Sequence, residues 1–297
     1  MTVNNLVRQK PLTAAQWTKR IAWRHAVGIL AVVFALFPLI WMISASFDTL
    51  GSLSAQKLIP DRPGLENFRT LFGNPDQPYL TWLKNSIIIS SANASLQMFI
   101  GATAAYALSR FRFKGRKLTL MTILVVQMFP QLLAATSIFL MLADLGKSIP
   151  FLALGQTSAL IIVFAGGALG INAWMLKGFY DTIPSEIDES AKIDGASHAQ
   201  IFFRIILPLA RPVLAVITLL SFIGTMNEFL ITSVILGGNQ KSLTLAVGMQ
   251  QYIDGQYNDH WGPFASGALI ASVPVMILFL YLQKHVVAGL TAGANKG

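Results

Sequence analysis

Six stretches of the chain are apolar over about 20 residues or more, the length an α-helix needs to cross the hydrocarbon core of a bilayer. They are Ala26–Phe47, Ser86–Ser109, Leu118–Ala143, one within Ser148–Leu176, one at about Pro212–Leu236 and one at about Trp261–Gln283. The fifth carries a single acid, Glu228. Between the fourth and fifth the pattern changes: residues 177–211 alternate polar and apolar positions at helical spacing, too polar to span and too apolar for a free loop. Pro184 ends whatever precedes it, and Ser185 is placed to N-cap a short helix with Asp188 at its third position. Gly195 stands where a left-handed C-cap is expected. Ser197 with Gln200 then forms a capping box for a second short helix, whose apolar face is Ile201, Phe202 and Ile205, closed by Pro208. Helix, glycine turn, helix is therefore expected at one membrane surface.

Composition sharpens this. Of 297 residues, 54% are hydrophobic and only 12% charged, against about a quarter charged in a soluble domain. An all-α polytopic membrane protein follows. The net charge of +9 reads as an excess of cytoplasmic Lys and Arg facing anionic lipid rather than as a nucleic-acid footprint, because no basic helix or aromatic-basic platform accompanies it. Most of the 22 Lys and Arg residues fall in the N-terminal arm, after the second stretch ("RFRFKGRK", Arg110–Lys117), after the fourth and in the C-terminal tail. The other loops hold only Lys57, Arg62, Arg69, Lys84, Lys147 and Lys241. The positive-inside rule then puts both termini, and the polar stretch, in the cytoplasm. The first span is expected to remain as a membrane anchor rather than a cleaved leader, since its apolar run is longer than a signal-peptide core. The expected organisation is a cytoplasmic arm (1–25), a six-helix membrane domain (26–290) with the loop 177–211 inserted between its fourth and fifth helices, and a cytoplasmic tail (291–297).

No catalytic chemistry emerges. There are no cysteines, and the four histidines form no ligand cluster, so no metal site is expected. "GKS" at Gly146–Ser148 lacks the preceding glycine of a phosphate loop, Met141 standing there instead, and is read as a turn before Pro150. "GGALG" at Gly166–Gly170 has the spacing of close helix packing.

The polar stretch resembles the EAA loop in membrane subunits of binding-protein-dependent ABC importers. That pattern is E-A-A, three residues, G, nine residues, I, one residue, L-P. Here it reads Glu189-Ser190-Ala191, Gly195, Ile205 and Leu207-Pro208, with Ser190 the single departure. "QMFP" (Gln127–Pro130), "KGFYDTI" (Lys177–Ile183), "TLAVGMQQY" (Thr244–Tyr252) and "GLTAG" (Gly289–Gly293) are similar to the maltose-type permease subunits of that family.

The resemblance implies a type I ABC importer permease fold in a bacterial inner membrane, moving maltose or maltodextrin by alternating access. It implies as partners a second homologous permease subunit, a dimer of ATPase subunits that carry the ATP and magnesium, and a soluble or lipid-anchored sugar-binding protein. On this chain, Glu189, Ser190, Ala191, Asp194, Gly195, Ile205, Leu207 and Pro208 would form the ATPase-coupling element, and Thr291, Gly293 and Lys296 an ATPase-contacting tail. Asn227 and Glu228 are candidates for the substrate path. Gln250, Gln251, Tyr252 and Tyr257, in the external loop Leu236–His260, are candidates for docking the binding protein. Another oligosaccharide is an alternative cargo, and an ion-coupled carrier using Glu228 is the alternative from a different class.

Overall fold

The structure, a computed structural model, describes residues 18–49, 57–253 and 260–294. Among them the regular structure is helical, with turns and short irregular links, and the only extended pairing is an isolated bridge between Asp48 and Pro63. Fourteen α-helices follow in order: α1 (Trp23–Phe47), α2 (Glu66–Gly73), α3 (Tyr79–Arg110), α4 (Arg116–Gln127), α5 (Gln131–Ser148), α6 (Thr157–Ala165), α7 (Ile171–Asp181), α8 (Ser185–Ile193), α9 (His198–Ile201), α10 (Leu207–Leu209), α11 (Arg211–Met226), α12 (Leu230–Leu236), α13 (Leu245–Gln250) and α14 (Trp261–Ala294).

All six apolar stretches are helical, but not all are continuous. Four segments of the described chain are long and apolar enough to cross a membrane: Trp23–Phe47, Tyr79–Arg110, Thr157–Asp181 and Trp261–His285. A fifth arises if His198–Leu209 and Arg211–Met226, bent by 78°, count as one span. The third stretch divides into α4 and α5 because Pro130, at the N-cap of α5, has no amide proton to continue the ladder. The fifth divides at Asn227–Phe229 into α11 and α12. The Gly166–Gly170 run does not make a smooth packing helix. It relaxes into a 3-10 segment, Gly166–Leu169, between α6 and α7.

Helix α3 is the mast of the fold, packed against α7, α11 and α13. Its small residues let neighbours approach: a Cβ on Gly101 would lie 3.4 Å from the Ala168 carbonyl and 3.7 Å from the Asn172 side chain. Two apolar clusters sit along it. One gathers Tyr79, Trp82 and Ile89 with Leu236, Leu245 and Met249; the other gathers Ala102, Ala105 and Tyr106 with Leu176, Ile201 and Ile206. Between them lies a buried polar layer. Gln97 Oε1 accepts from Asn172 Nδ2 at 2.8 Å and from Ser221 Oγ at 2.9 Å, while its Nε2 donates to the Phe164 carbonyl at 3.1 Å. Asn93 donates to Thr225 one turn away. Phe164 precedes the 3-10 break, so Gln97 supplies a donor where the helix ladder is interrupted.

Two side chains join one end of α1 to α2 and α14. Asn67 Nδ2 donates to the Asp48 carbonyl at 2.8 Å and the Ser46 carbonyl at 3.2 Å, and Ser266 Oγ donates to Ser46 at 3.1 Å.

Gln97→Leu removes an acceptor shared by two buried donors and frees the Phe164 carbonyl. A loss of about 1–3 kcal/mol is expected, read as a lower thermal unfolding midpoint of the detergent-purified protein; an unchanged midpoint would show that the layer is not holding these helices.

Candidate functional site

The polar stretch folds as its spacing predicts at two points and departs at two. Helix α8 ends in a left-handed turn with Gly195 at φ +81°. The Gly195 amide donates to Lys192 at 3.0 Å and the Ala196 amide to Ala191 at 2.9 Å, the paired bonds of a Schellman cap. An added Cβ on Gly195 would meet nothing within 4 Å, so the demand for glycine comes from the backbone conformation alone. The Ser197–Gln200 capping box is present in both directions, at 2.7 Å and 3.3 Å.

The first departure is at the start of α8. Ser185 makes no side-chain cap and Asp188 is not a capping-box partner. Asp188 is buried instead, with Oδ2 2.8 Å from Arg110 Nε at the end of α3; Arg110 Nη2 also donates to the Ile183 carbonyl at 3.0 Å. A guanidinium within reach of a buried carboxylate outcompetes a local cap, since an unpaired buried charge costs far more than a missing cap. The second departure is the apolar face beyond Gly195. Ile201, Phe202 and Ile206 are buried, and Ile205 is only half-buried. Residues Phe202–Ile206 form a π-helical turn, whose extra residue advances the inward position by one.

The exposure pattern of α8 departs from that of an ordinary amphipathic helix at Asp188, Ile187 and Ile193. Its buried residues are Asp188 and Ala191, while Ile193 is 87% exposed and Ile187 37% exposed. Glu186, Glu189, Ser190 and Asp194 share the exposed side. Because Ser190 faces outward, a polar residue there costs no burial. Ile205 and Leu207 pack half-buried against the cluster under α9 and α10, and Pro208 lies in α10 just before the 78° bend.

The break after α11 has its own chemistry. Glu228 Oε1 accepts from the Ile231 amide at 2.7 Å, and Oε2 accepts from the Thr232 amide at 2.9 Å and the Thr232 hydroxyl at 2.6 Å. The carboxylate thus caps the start of α12, where free amides and the helix dipole favour a negative charge. Asn227 is exposed and lines a cleft of about 710 Å³ between α11, α13 and α14, together with Phe229, Gln250 and Phe264. Phe229 and Gln250 also border a smaller cleft of about 370 Å³ lined by Asn239, Gln240 and Gln251. Gln240 and Gln251 pair through their side-chain amides at 3.2 Å.

The segment Leu236–His260, expected as an external loop, folds inward over its described part. Asn85 donates to the Lys241 and Leu243 carbonyls at 2.9 Å, the Leu245 amide donates to Ser86 Oγ at 2.7 Å, and Trp82 Nε1 donates to the Gln240 carbonyl at 2.7 Å. Leu243, Leu245, Val247 and Met249 are buried, and so is Tyr252 at 2% exposure. Tyr252 is therefore a core residue rather than a docking aromatic, and burial pushes its phenol pKa up. The signal for this was the apolar alternation of "LTLAVGM" (Leu243–Met249), which reads as packing rather than as loop. Gln250 and Gln251 remain at the clefts. Tyr257 lies outside the described residues, as does Lys296; Thr291 and Gly293 lie within α14.

Replacing Glu228 by Leu removes three acceptor contacts at the start of α12 and is expected to cost about 0.5–2 kcal/mol. Glu228→Gln, which keeps one acceptor oxygen, should lose less. Thermal unfolding of both variants checks the order, and a Leu variant as stable as the Gln variant would remove the capping role.

Residues 97–291 match the family described as binding-protein-dependent transport system inner membrane component. A maltose/maltodextrin transport system permease protein of Vibrio vulnificus (strain YJ016) is 38% identical over 304 residues, covering 98% of this chain and 99% of that protein. A galactooligosaccharides transport system permease protein of Bacillus subtilis (strain 168) is 38% identical over 279 residues, covering 94% and 96%. A maltodextrin transport system permease protein of Streptococcus pneumoniae (strain ATCC BAA-255 / R6) is 36% identical over 296 residues, covering 99% and 100%. Among solved structures, a chain of a bacterial ABC transporter involved in the import of the acidic polysaccharide alginate superposes with a TM-score of 0.74 at 23% identity, over 93% of this chain and 99% of that one. The fold expected of an importer permease is the fold observed, and this chain belongs to the inner-membrane components of binding-protein-dependent transport systems.

Proposed function

We propose that the chain is the permease subunit of an ATP-driven importer for maltose or maltodextrins, with α8 as the element that docks an ATPase subunit. The observation that carries this is the exposure pattern of α8: a helix that buries an aspartate and exposes two isoleucines is shaped to be covered by another protein. An ATPase dimer supplies the ATP and magnesium, and this chain binds neither and has no hydrolytic site of its own. Glu189, Ser190, Asp194 and the Gly195 turn face that partner, with Ala191, Ile205, Leu207 and Pro208 seating the element on the membrane helices. The tail at Thr291, Gly293 and Lys296 adds a second contact.

A second, homologous permease subunit closes the translocation path. The amides of Asn227 and Gln250 beside the exposed ring of Phe229 suit a sugar, whose hydroxyls accept and donate hydrogen bonds while its apolar face stacks on an aromatic. Gln250 and Gln251 lie at the clefts where a soluble or lipid-anchored binding protein would deliver its load, and Tyr257 is a further docking candidate on sequence alone. Glu228 keeps α12 in place rather than relaying protons, which disfavours an ion-coupled carrier. The cargo rests on the names of relatives similar over their whole length. A galactooligosaccharide permease at the same identity makes another oligosaccharide the competing cargo.

Uptake of labelled maltose, maltotriose, lactose and a galactooligosaccharide in cells lacking only this chain separates these cargoes. Loss of maltose and maltotriose uptake, restored by the chain, is the expected result; loss confined to the galactosides would replace the cargo and keep the importer. Gly195→Val forces a β-branched residue into the left-handed region, at a cost of about 1–2 kcal/mol. That variant should insert in the membrane yet fail to restore uptake. Full rescue by it would remove the turn from the coupling element.

A further inference from the structure

Three polar ties run from the cytoplasmic end of α3 to the corner between α7 and α8. Ser109 Oγ donates to Asp181 Oδ1 at 2.7 Å, Arg110 Nη2 donates to the Ile183 carbonyl at 3.0 Å, and Arg110 Nε lies 2.8 Å from Asp188 Oδ2. Among the ion pairs of the described residues, Lys57–Asp61, Lys147–Asp144 and Lys177–Asp181 are all three or four residues apart. Arg110–Asp188 alone in that set joins segments distant in sequence, and its side chains are only 11% and 7% exposed. Asp188 Oδ1 is buried with no hydrogen-bond partner among the described residues, so Arg110 supplies the compensation for this carboxylate.

Adhesion alone does not call for such a pair, because two well-packed apolar side chains would hold the helices as firmly without desolvating charge. What the pair adds is one charge that engages two elements at once. The guanidinium donates from Nη2 to the carbonyl that closes the turn after α7, while its Nε makes a close charge contact with the carboxylate on α8 without a hydrogen bond, so a single side chain ties α8 and the turn before it to the end of α3. An aromatic seam lies alongside: the Tyr106 ring packs on Phe111 and Phe202, and Phe111 meets His198 edge-on at 5.0 Å.

The covalent route from α8 into the membrane is indirect by comparison. It passes the Gly195 turn, a π-helical turn and the 78° bend before α11. We propose that Arg110 is a positioning residue for energy coupling: through Asp188 it locks α8 to α3, so that displacement of α8 by the ATPase subunit is delivered to α3 and to the helices packed on it. The inference rests on the reading of α8 as the ATPase-docking element. Helix α3 packs directly on both α7 and α11, so a push on its end reaches the helices that border the larger cleft.

The chain contains no cysteine, which allows a reversible test in the assembled transporter. Arg110→Cys and Asp188→Cys are introduced together, with partner subunits made cysteine-free, and the complex is reconstituted in proteoliposomes. Sugar transported per ATP hydrolysed is measured before and after bridging the two thiols with a cleavable bifunctional reagent, and again after reduction. The unbridged variant is expected to lose about tenfold in that ratio, to regain most of it on bridging and to lose it again on reduction. An unbridged variant at the wild-type ratio overturns the proposal, and so does a bridged complex, still carrying its ATPase subunits, that stays at the unbridged ratio. Arg110→Lys keeps the charge but cannot engage the Ile183 carbonyl and Asp188 together, and an intermediate ratio is expected; a wild-type ratio would remove the claim that the double contact matters. If the unmodified chain fails to co-purify with an ATPase subunit, the reading of α8 fails. If the unmodified complex couples and the tie variants couple equally well, only this inference fails.

Discussion

A backbone that enters a membrane cannot leave its amides and carbonyls to water, and most features of this chain follow from that demand. Where the helices run unbroken, the ladder satisfies it. Where they break, a side chain is found at the break: Gln97 beside the interrupted turn at Phe164, Glu228 on the first amides of α12, and Asn67 on the last carbonyls of α1. Gln97 and Asn67 also join a second element, so there satisfying the backbone and fixing the arrangement of helices are one event. The polar layer of Gln97, Asn172 and Ser221 is the clearest case, because it divides two apolar clusters that would otherwise slide past one another along α3.

The same demand explains why a membrane protein keeps residues 177–211 at its surface. Within that segment, helix α8 keeps Asp188 inside against Arg110 and leaves Ile187 and Ile193 outside. The Schellman turn at Gly195 fixes its far end, and the buried face of Ile201, Phe202 and Ile206 fixes its seat. This surface segment and the membrane core are thus a single packed unit, rather than a loop hung between two spans.

The described part of the segment after α12 is core as much as surface. It folds back so that Trp82, Asn85 and Ser86 at the start of α3 meet its backbone, and its apolar residues join the outer cluster. The two clefts, one mostly apolar with Asn227 and Gln250 at its lining and one lined by Asn239, Gln240 and Gln251, therefore sit against a packed wall.

The sequence by itself determined the helical class, the apolar stretches, the cap chemistry at Gly195 and Ser197–Gln200, and the EAA spacing that places the chain in its family. These are local: hydropathy over a window, a capping box within four residues, a glycine where φ must be positive. Tertiary structure alone decided the rest. Asp188 was a plausible cap until Arg110, far away in sequence, came within 2.8 Å. Glu228 read as a lone charge in a span until the break at Asn227–Phe229 turned it into the cap of the next helix. Tyr252 read as a docking aromatic until the inward fold of its segment buried it. In each case the side chain had two chemically sound roles, and what selected between them was which distant backbone or charge the packing brought within hydrogen-bond reach.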